Sequence, residues 1–383
     1  MKALVFERSI PRYAAARVAS AVAPGRGVRV GPLRLTDVEL PELPGPDWFR
    51  LRPRLAGICG SDLATVDGHS SRYFEPIVSF PFVPGHEVVG DLEDGRRMVL
   101  EPVLACAARG IEPPCDRCAS GDTNRCERTA FGHLDPGLQT GYCAGTSGGW
   151  SLSLVAHESQ LHAPPDAMSD EAAVMVEPTA SAVHAASLCG DGNEFAVIGA
   201  GTLGLCTVAA LRQLATPHVL IAAAKHPAQQ QLARELGADV VVEPAGLPRA
   251  VRRAVPGSMV AGGQLTGGVG SVLDCVGSEA SLELALQVVA PGGTVVMVGM
   301  PGRVGVDLTP LWHREVSLRG AYTYTKEDFA KAFDLVQDAR LERLVSVLYP
   351  LERWQEAIEH AADAGRRGAV KIAFDLRGER GSR

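Results

Sequence analysis

Phe195-Ala196-Val197-Ile198-Gly199-Ala200-Gly201-Thr202-Leu203-Gly204-Leu205 decides the fold of this chain. The run Phe195 to Ile198 is short and apolar, as a buried parallel strand requires, and Thr202 to Leu214 continues apolar-rich without proline, as a helix. The glycines between them have the G-x-G-x-x-G spacing. Such a turn lets the backbone approach a pyrophosphate closely and packs the helix on the strand, while the helix N-terminus offers free amides to the anion. Gly199, Gly201, Thr202, Leu203 and Gly204 are therefore the expected nucleotide cradle. Glycine is abundant here, at 42 of 383 residues, so the motif needs support from its surroundings.

The surroundings supply it. From about Asp170 onward strands and helices alternate. Asp170-Glu171-Ala172-Ala173 opens a helix behind Ser169 as N-cap, and strands are expected at Phe195–Ile198, Val219–Ala222, Val240–Val242, Ser271–Asp274 and Thr294–Val298. The glycine-rich stretch 255–270 is expected to be a loop, Pro291-Gly292-Gly293 a turn, Lys326 to Asp338 a helix and Val370 to Phe374 a closing strand. This alternation specifies an α/β fold with a doubly wound parallel sheet. Residues 1 to about 160 differ: they are rich in proline and glycine, with strand-like pieces at Val38-Glu39-Leu40, Trp48–Leu51 and Met98–Leu100. A small irregular β domain is expected there.

Length and composition limit the function. A chain of 383 residues calls for two domains of roughly 150 to 200 residues. The net charge of −7 and the lack of a basic tract exclude nucleic acid as a partner. Glu7 and Arg8 interrupt the first apolar run too early for a signal peptide, and no run of about 18 apolar residues would span a membrane, so a cytoplasmic location is expected. Nine cysteines in such a chain are metal ligands, reactive thiols or small core residues rather than disulfides.

Their clustering distinguishes these roles. Cys115-Asp116-Arg117-Cys118, with Cys126 after seven intervening residues, is a strong metal signal, because thiolates two positions apart can face one ion from a tight turn. Elsewhere, Cys59 sits in Gly57-Ile58-Cys59-Gly60-Ser61-Asp62, His86 and Glu87 in Gly85-His86-Glu87, and Glu177 in Val176-Glu177-Pro178. Thiolate, imidazole and carboxylate suit a zinc ion with one open position, although each residue alone has an ordinary structural alternative. Cys143, Cys189, Cys206 and Cys275 have no partner at ligand spacing and are expected to be small apolar residues.

Taken in order, Gly57–Asp62, Pro84–Gly90, the cysteines 106 to 126, Val176–Pro178, Gly199–Gly204 and Leu273-Asp274-Cys275-Val276-Gly277 resemble the zinc-containing medium-chain alcohol dehydrogenases over nearly the whole chain. The branch most resembled is that of the polyol and threonine dehydrogenases. The resemblance implies a GroES-like catalytic domain over 1–164, completed by 319–383, and a Rossmann dinucleotide-binding domain over 165–318. It implies a catalytic zinc on Cys59, His86 and Glu177, Glu87 as an adjustable or adjacent carboxylate, and Ser61 as the hydroxyl that takes the alcohol proton. A second, structural zinc would make about two per chain. Its fourth ligand in the family is a cysteine where this chain has Glu112; since zinc prefers thiolate in closed sites, Cys106 is chosen over Glu112.

Two departures accompany the resemblance. The family's relay histidine is absent, Leu63-Ala64-Thr65 standing in its region, so the proton leaves through water, Thr65 or His69. The acid expected about 20 positions past the glycine turn is replaced by Ala224, followed by Lys225 and His226. Space and positive charge there favour NADP over NAD, with Lys225 on the 2′-phosphate; the alternative is an ordinary solvated turn. Hydride transfer between an alcohol, secondary or of the polyol or sugar kind, and NADP is thus expected, in a homo-oligomer of two or four chains. The alternatives are a zinc-free NADPH-dependent enone or quinone reductase of the same superfamily and a non-catalytic NADP(H)-binding protein.

Overall fold

The computed structural model describes residues 1–257, 259–300 and 302–378. Ser258, within the expected loop 255–270, and residues 379–383, at the end of the expected completing segment, lie outside the described residues. The described chain divides into two compact units, one of Met1–Glu177, Arg340–Arg367 and Lys371 onward, the other of Pro178–Ala339 and Gly368–Val370.

The second unit is built on a six-stranded parallel sheet. Its strands are Glu194–Ile198, Val219–Ala223, Val240–Val242, Val269–Asp274, Val289–Met297 and Ser317–Gly320, and they lie in the spatial order 3-2-1-4-5-6. That order reverses direction at the first strand, the switch point where doubly wound folds take a nucleotide. Ala196, Ile198, Ile221, Val272 and Val295 are wholly or almost wholly buried in its core, packed against Leu282 and Leu286 of the helix Glu279–Val288. The helix after the glycine turn, Thr202–Ala210, passes into a π-helical turn, Leu211–Ala215, and ends with Thr216 in the left-handed region.

The first unit centres on an antiparallel sheet around the long strand Trp48–Gly57. It pairs with Val88–Leu92, Leu154–His157 and Lys371–Asp375, and the last of these pairs in parallel with Val345–Tyr349. The segment after Gly90 is a tight hairpin between Val88–Leu92 and Arg97–Leu100, with Gly95 at φ 88° in its turn. A separate two-stranded ladder joins Lys2–Phe6 to Leu33–Asp37.

One local expectation fails here, and one helix was not expected. Val38–Leu40 is not a strand; the ladder stops at Asp37. Ile10–Val22 is a helix, with Pro11 at its first turn, where a missing amide costs nothing. Its large apolar residues Ile10, Val18 and Val22 are all more than 70% exposed, while Ala16 and Ser20 are the residues it buries.

The units also divide later than the sequence boundaries of 164/165 and 318/319. Asp170, at the start of the helix Asp170–Ala173, is tied to Arg54, Arg97 and Arg377 of the first unit, which keeps residues 165–177 there. Asp328, in the helix Lys326–Asp338, bonds His184 at 2.8 Å, which keeps 319–339 in the second.

Candidate functional site

In the first unit, the register of Trp48–Gly57 against Val88–Leu92 brings Cys59 and His86 to the same end of the sheet. Ala56 pairs with Val88, and the Gly57 amide donates to the Glu87 carbonyl at 2.8 Å. Cys59 caps the helix Gly60–Val66, where Asp62 Oδ2 accepts from the Cys59 amide at 3.0 Å. The other carboxylate oxygen of Asp62 faces His86 Nδ1 at 3.5 Å, and that buried nitrogen makes no hydrogen bond. Burial alone would lower the pKa of His86, but Asp62 and then Cys59 outweigh it and raise it well above the ordinary value.

Glu87 is buried and bonded through both oxygens to Lys371 Nζ, at 2.6 and 2.5 Å. Lys371 also donates to the Ile58 carbonyl at 3.3 Å. Burial opposes its charge, yet the fields of Glu87, Cys59 and Glu177 hold its pKa above the ordinary lysine value. Glu177 is buried at the start of the helix Val176–Ser187. The ligand atoms of Cys59, His86 and Glu177 do not all close to within 4.8 Å of one another.

A chain of hydroxyls starts one helical turn from Ser61. Thr65 Oγ1 donates to the Ser61 carbonyl at 2.9 Å and pairs with Ser70 Oγ at 2.8 Å and Tyr142 Oη at 3.4 Å. Tyr142 also bonds Asp62 Oδ1 at 3.4 Å, and burial raises its pKa. Of the expected proton exits, Thr65 adjoins Ser61, whereas His69 Nε2 pairs with Ser20 of the N-terminal helix at 3.0 Å.

The second cluster is tighter. One sulfur from each of Cys106, Cys115, Cys118 and Cys126 lies within 4.8 Å of the others, the only such ligand group among the described residues. Glu112 is exposed and outside it. The Cys115 amide points at Cys106 Sγ and the Arg128 amide at Cys126 Sγ, each at 3.4 Å. Burial pushes the Cys126 thiol up to about 11, against the pull of the Arg128 amide. Four soft donors around one point fit a closed tetrahedral zinc site, since a divalent ion deprotonates its thiols.

In the second unit, Gly199 adopts φ 91°, and a Cβ on Gly204 would lie 1.9 Å from the Gly199 carbonyl oxygen, so only glycine serves at either position. A Cβ on Gly201 would meet nothing within 4 Å, which leaves open space over the N-terminus of Thr202–Ala210. A pyrophosphate fits such a cradle. At the end of the second strand, Ala224 is fully buried, its carbonyl taken by Gln230 Nε2 at 3.0 Å, while Lys225 is exposed and His226 precedes the helix Pro227–Glu235. No acidic residue occurs from Val219 to Arg234.

Comparison with known proteins accords with this geometry. Residues 45–166 match the family model of the alcohol dehydrogenase GroES-like domain, and residues 202–338 that of the zinc-binding dehydrogenases, together more than half of the chain. The chain belongs to the zinc-containing medium-chain alcohol dehydrogenase family. It is therefore an NAD(P)-dependent oxidoreductase acting on CH–OH donors. It is 27% identical to L-idonate 5-dehydrogenase of Vitis vinifera over 90% of this chain and 92% of that one. It is 28% identical to sorbitol dehydrogenase of Arabidopsis thaliana, over 91% and 94%. A Sinorhizobium meliloti 1021 protein assigned as a zinc-binding dehydrogenase and crystallised with NADP superposes with a TM-score of 0.71 at 26% identity, over 91% of this chain and 97% of that one. Similar folds also hold NAD.

Three residues of the dehydrogenase's site escaped the sequence reading. Asp62 stands in the Gly57–Asp62 motif but was given no role there, Tyr142 carries no motif, and Lys371 hides in a strand. A lysine inside the apolar run Val370–Phe374 was the signal that could have found the last, since an unpaired cation is not buried there.

Proposed function

We propose that this dehydrogenase reversibly oxidises a secondary hydroxyl of a polyol, sugar or sugar acid to the carbonyl, with NADP as hydride acceptor and about two zinc ions per chain. The observation that carries the proposal is the convergence of half-buried Cys59 with buried His86 and Asp62 at one sheet end, with Glu177 and Lys371 in electrostatic reach. A zinc-free reductase of carbon–carbon double bonds has no need of that thiol, imidazole and carboxylate set.

Zinc on Cys59, His86 and Glu177 would supply Lewis acidity at the substrate oxygen, lowering the pKa of the hydroxyl. Asp62 orients His86, and its carboxylate favours a ring that donates toward it. Lys371 holds Glu87 back as a neighbouring carboxylate rather than a ligand. Ser61 takes the hydroxyl proton, and the adjoining Thr65, Ser70 and Tyr142 hydroxyls offer it a way out in place of a histidine. Gly199, Gly201, Thr202, Leu203 and Gly204 cradle the pyrophosphate. Lys225, with His226 beside it, meets the 2′-phosphate, with no carboxylate at Ala224 to repel it.

Support for the substrate class comes from the polyol and sugar-acid names of the relatives above, and for the nucleotide from the acid-free strand end. By the family resemblance the working form is a dimer or tetramer. The test is metal analysis of the purified protein with initial rates on polyols, sugars and sugar acids, using NADP and NAD. Zinc-dependent NADP reduction is expected. Zinc-independent reduction of an enone, or nucleotide binding without turnover on any substrate, would overturn the proposal in favour of the reductase or the non-catalytic binder.

A further inference from the structure

Arg109 is fully buried, and its guanidinium donates to backbone carbonyls. Nε donates to the Leu104 carbonyl at 3.0 Å, Nη1 to the carbonyls of Phe131, Leu134 and Asp135 at 3.0, 3.4 and 3.2 Å, and Nη2 to that of Gly137. These acceptors flank, on both sides, the segment that carries Cys106, Cys115, Cys118 and Cys126. The guanidinium thus ties the entry of the lobe to its exit.

Burial lowers the pKa of Arg109; the groups near enough to oppose this are Cys143, then Cys126 and Cys106 of the cluster, then Asp135. With every thiol protonated, the buried cation has little to balance it. Loading a divalent ion releases four thiol protons, so the cluster passes from neutral to −2, and a fixed positive charge alongside favours that exchange. Arg314 makes a useful contrast. It too donates to carbonyls, those of Leu286, Gly267 and Val289, but desolvation alone acts on it and no thiol faces it. Carbonyls by themselves can therefore hold a buried guanidinium in this protein, and Arg109 differs in having Cys126 and Cys106 of the cluster near it, besides Cys143 and Asp135.

We propose that Arg109 is a positioning residue for the four-cysteine metal site: a built-in counter-charge to the metal tetrathiolate, and the clamp that closes its lobe. The inference rests on the proposed metal occupancy of that cluster. Arg109→Lys keeps the charge but loses the fork, whereas Arg109→Gln keeps amide donors and loses the charge. The experiment measures zinc per chain, zinc release to a chromogenic chelator, and the thiolate-to-metal charge-transfer band of the cobalt-substituted protein, for the wild type, both variants and Cys118→Ser. In the Gln variant, release from this site is expected to be about 10- to 100-fold faster, the size of effect typical of groups that orient metal ligands, with a shifted band and the other zinc retained. The Lys variant, which keeps the charge and loses the clamp, is expected to fall between the wild type and the Gln variant in both respects.

Equal losses in the Lys and Gln variants would reduce Arg109 to a hydrogen-bonding clamp and overturn the charge assignment. So would unchanged release and an unchanged band in the Gln variant. If the Gln variant does not fold, the Lys variant decides alone: retention supports the assignment, and behaviour like Cys118→Ser overturns it. A wild type without a thiolate-bound metal overturns both this inference and the occupancy beneath it, while Cys118→Ser losing one metal separates the two.

Discussion

Lys371 and Glu87 lie 284 residues apart in the chain and form a buried ion pair at 2.5 Å, both side chains at most 2% exposed. Taking two charges out of water is costly, and removing one partner leaves the other unmatched. Lys371→Met is therefore expected to destabilise the protein by about 3–5 kcal/mol. The double variant Lys371→Met with Glu87→Gln should lose less than the sum of the single changes. Urea denaturation of the four proteins checks this; additive losses would mean that the pair is not coupled.

At the nucleotide site, Ala224→Asp is expected to reverse the cofactor preference, since the new carboxylate repels a 2′-phosphate and accepts from ribose hydroxyls. Lys225→Ala should raise KM for NADP about tenfold, equivalent to about 1.4 kcal/mol, and leave KM for NAD unchanged. Steady-state kinetics with both nucleotides provides the measurement. Equal changes with the two would place Lys225 away from the phosphate.

Cys59→Ala should remove one zinc per chain and lower kcat at least about a thousandfold, because Lewis acidity at the substrate oxygen is lost. The metal on the four cysteines should remain. Elemental analysis beside the rate measurement distinguishes this from general unfolding, which would release both.

Asp328 accepts hydrogen bonds from His184 Nδ1 at 2.8 Å, from the Thr325 hydroxyl at 2.7 Å and from the Thr325 amide at 3.0 Å. Burial pushes its carboxyl up, but His184 and Thr325 outweigh that and hold it below the ordinary 3.8. A carboxyl depressed in the folded state contributes stability that is complete above its unfolded pKa and is lost as pH falls from there through the folded value. Asp328→Asn is expected to cost about 2 kcal/mol near neutrality and to flatten the acid limb of the stability curve below about pH 4. Thermal melts as a function of pH, compared with the wild type, test both effects.

The nucleotide turn, the parallel sheet and the thiol cluster were legible in the sequence because their chemistry sits on neighbours. Gly199, Gly201 and Gly204 share one turn, and Cys115 and Cys118 share one loop. The strands carry their burial as local apolar runs, and Ser169 announces its helix by capping it, its Oγ accepting from the Ala172 amide at 3.1 Å. Cys106 was reached as the fourth thiol because the family resemblance calls for a fourth ligand and zinc prefers thiolate to the carboxylate of Glu112.

Other features had no local trace. The helix Ile10–Val22 turns its large apolar residues outward and buries Ala16 and Ser20, a packing that its own residues do not dictate. The charge balance of the site depends on which strands pair: the register of Trp48–Gly57 against Val88–Leu92 and Lys371–Asp375 is what sets Lys371 on Glu87 beside Cys59. Arg109 likewise reads as a surface residue until residues 131–137 fold over it. The sequence by itself determined which chemical groups and which local turns this protein has. Only the tertiary structure decided which charges are buried together, because that depends on long-range sheet register and on desolvation, neither of which any short stretch of chain encodes.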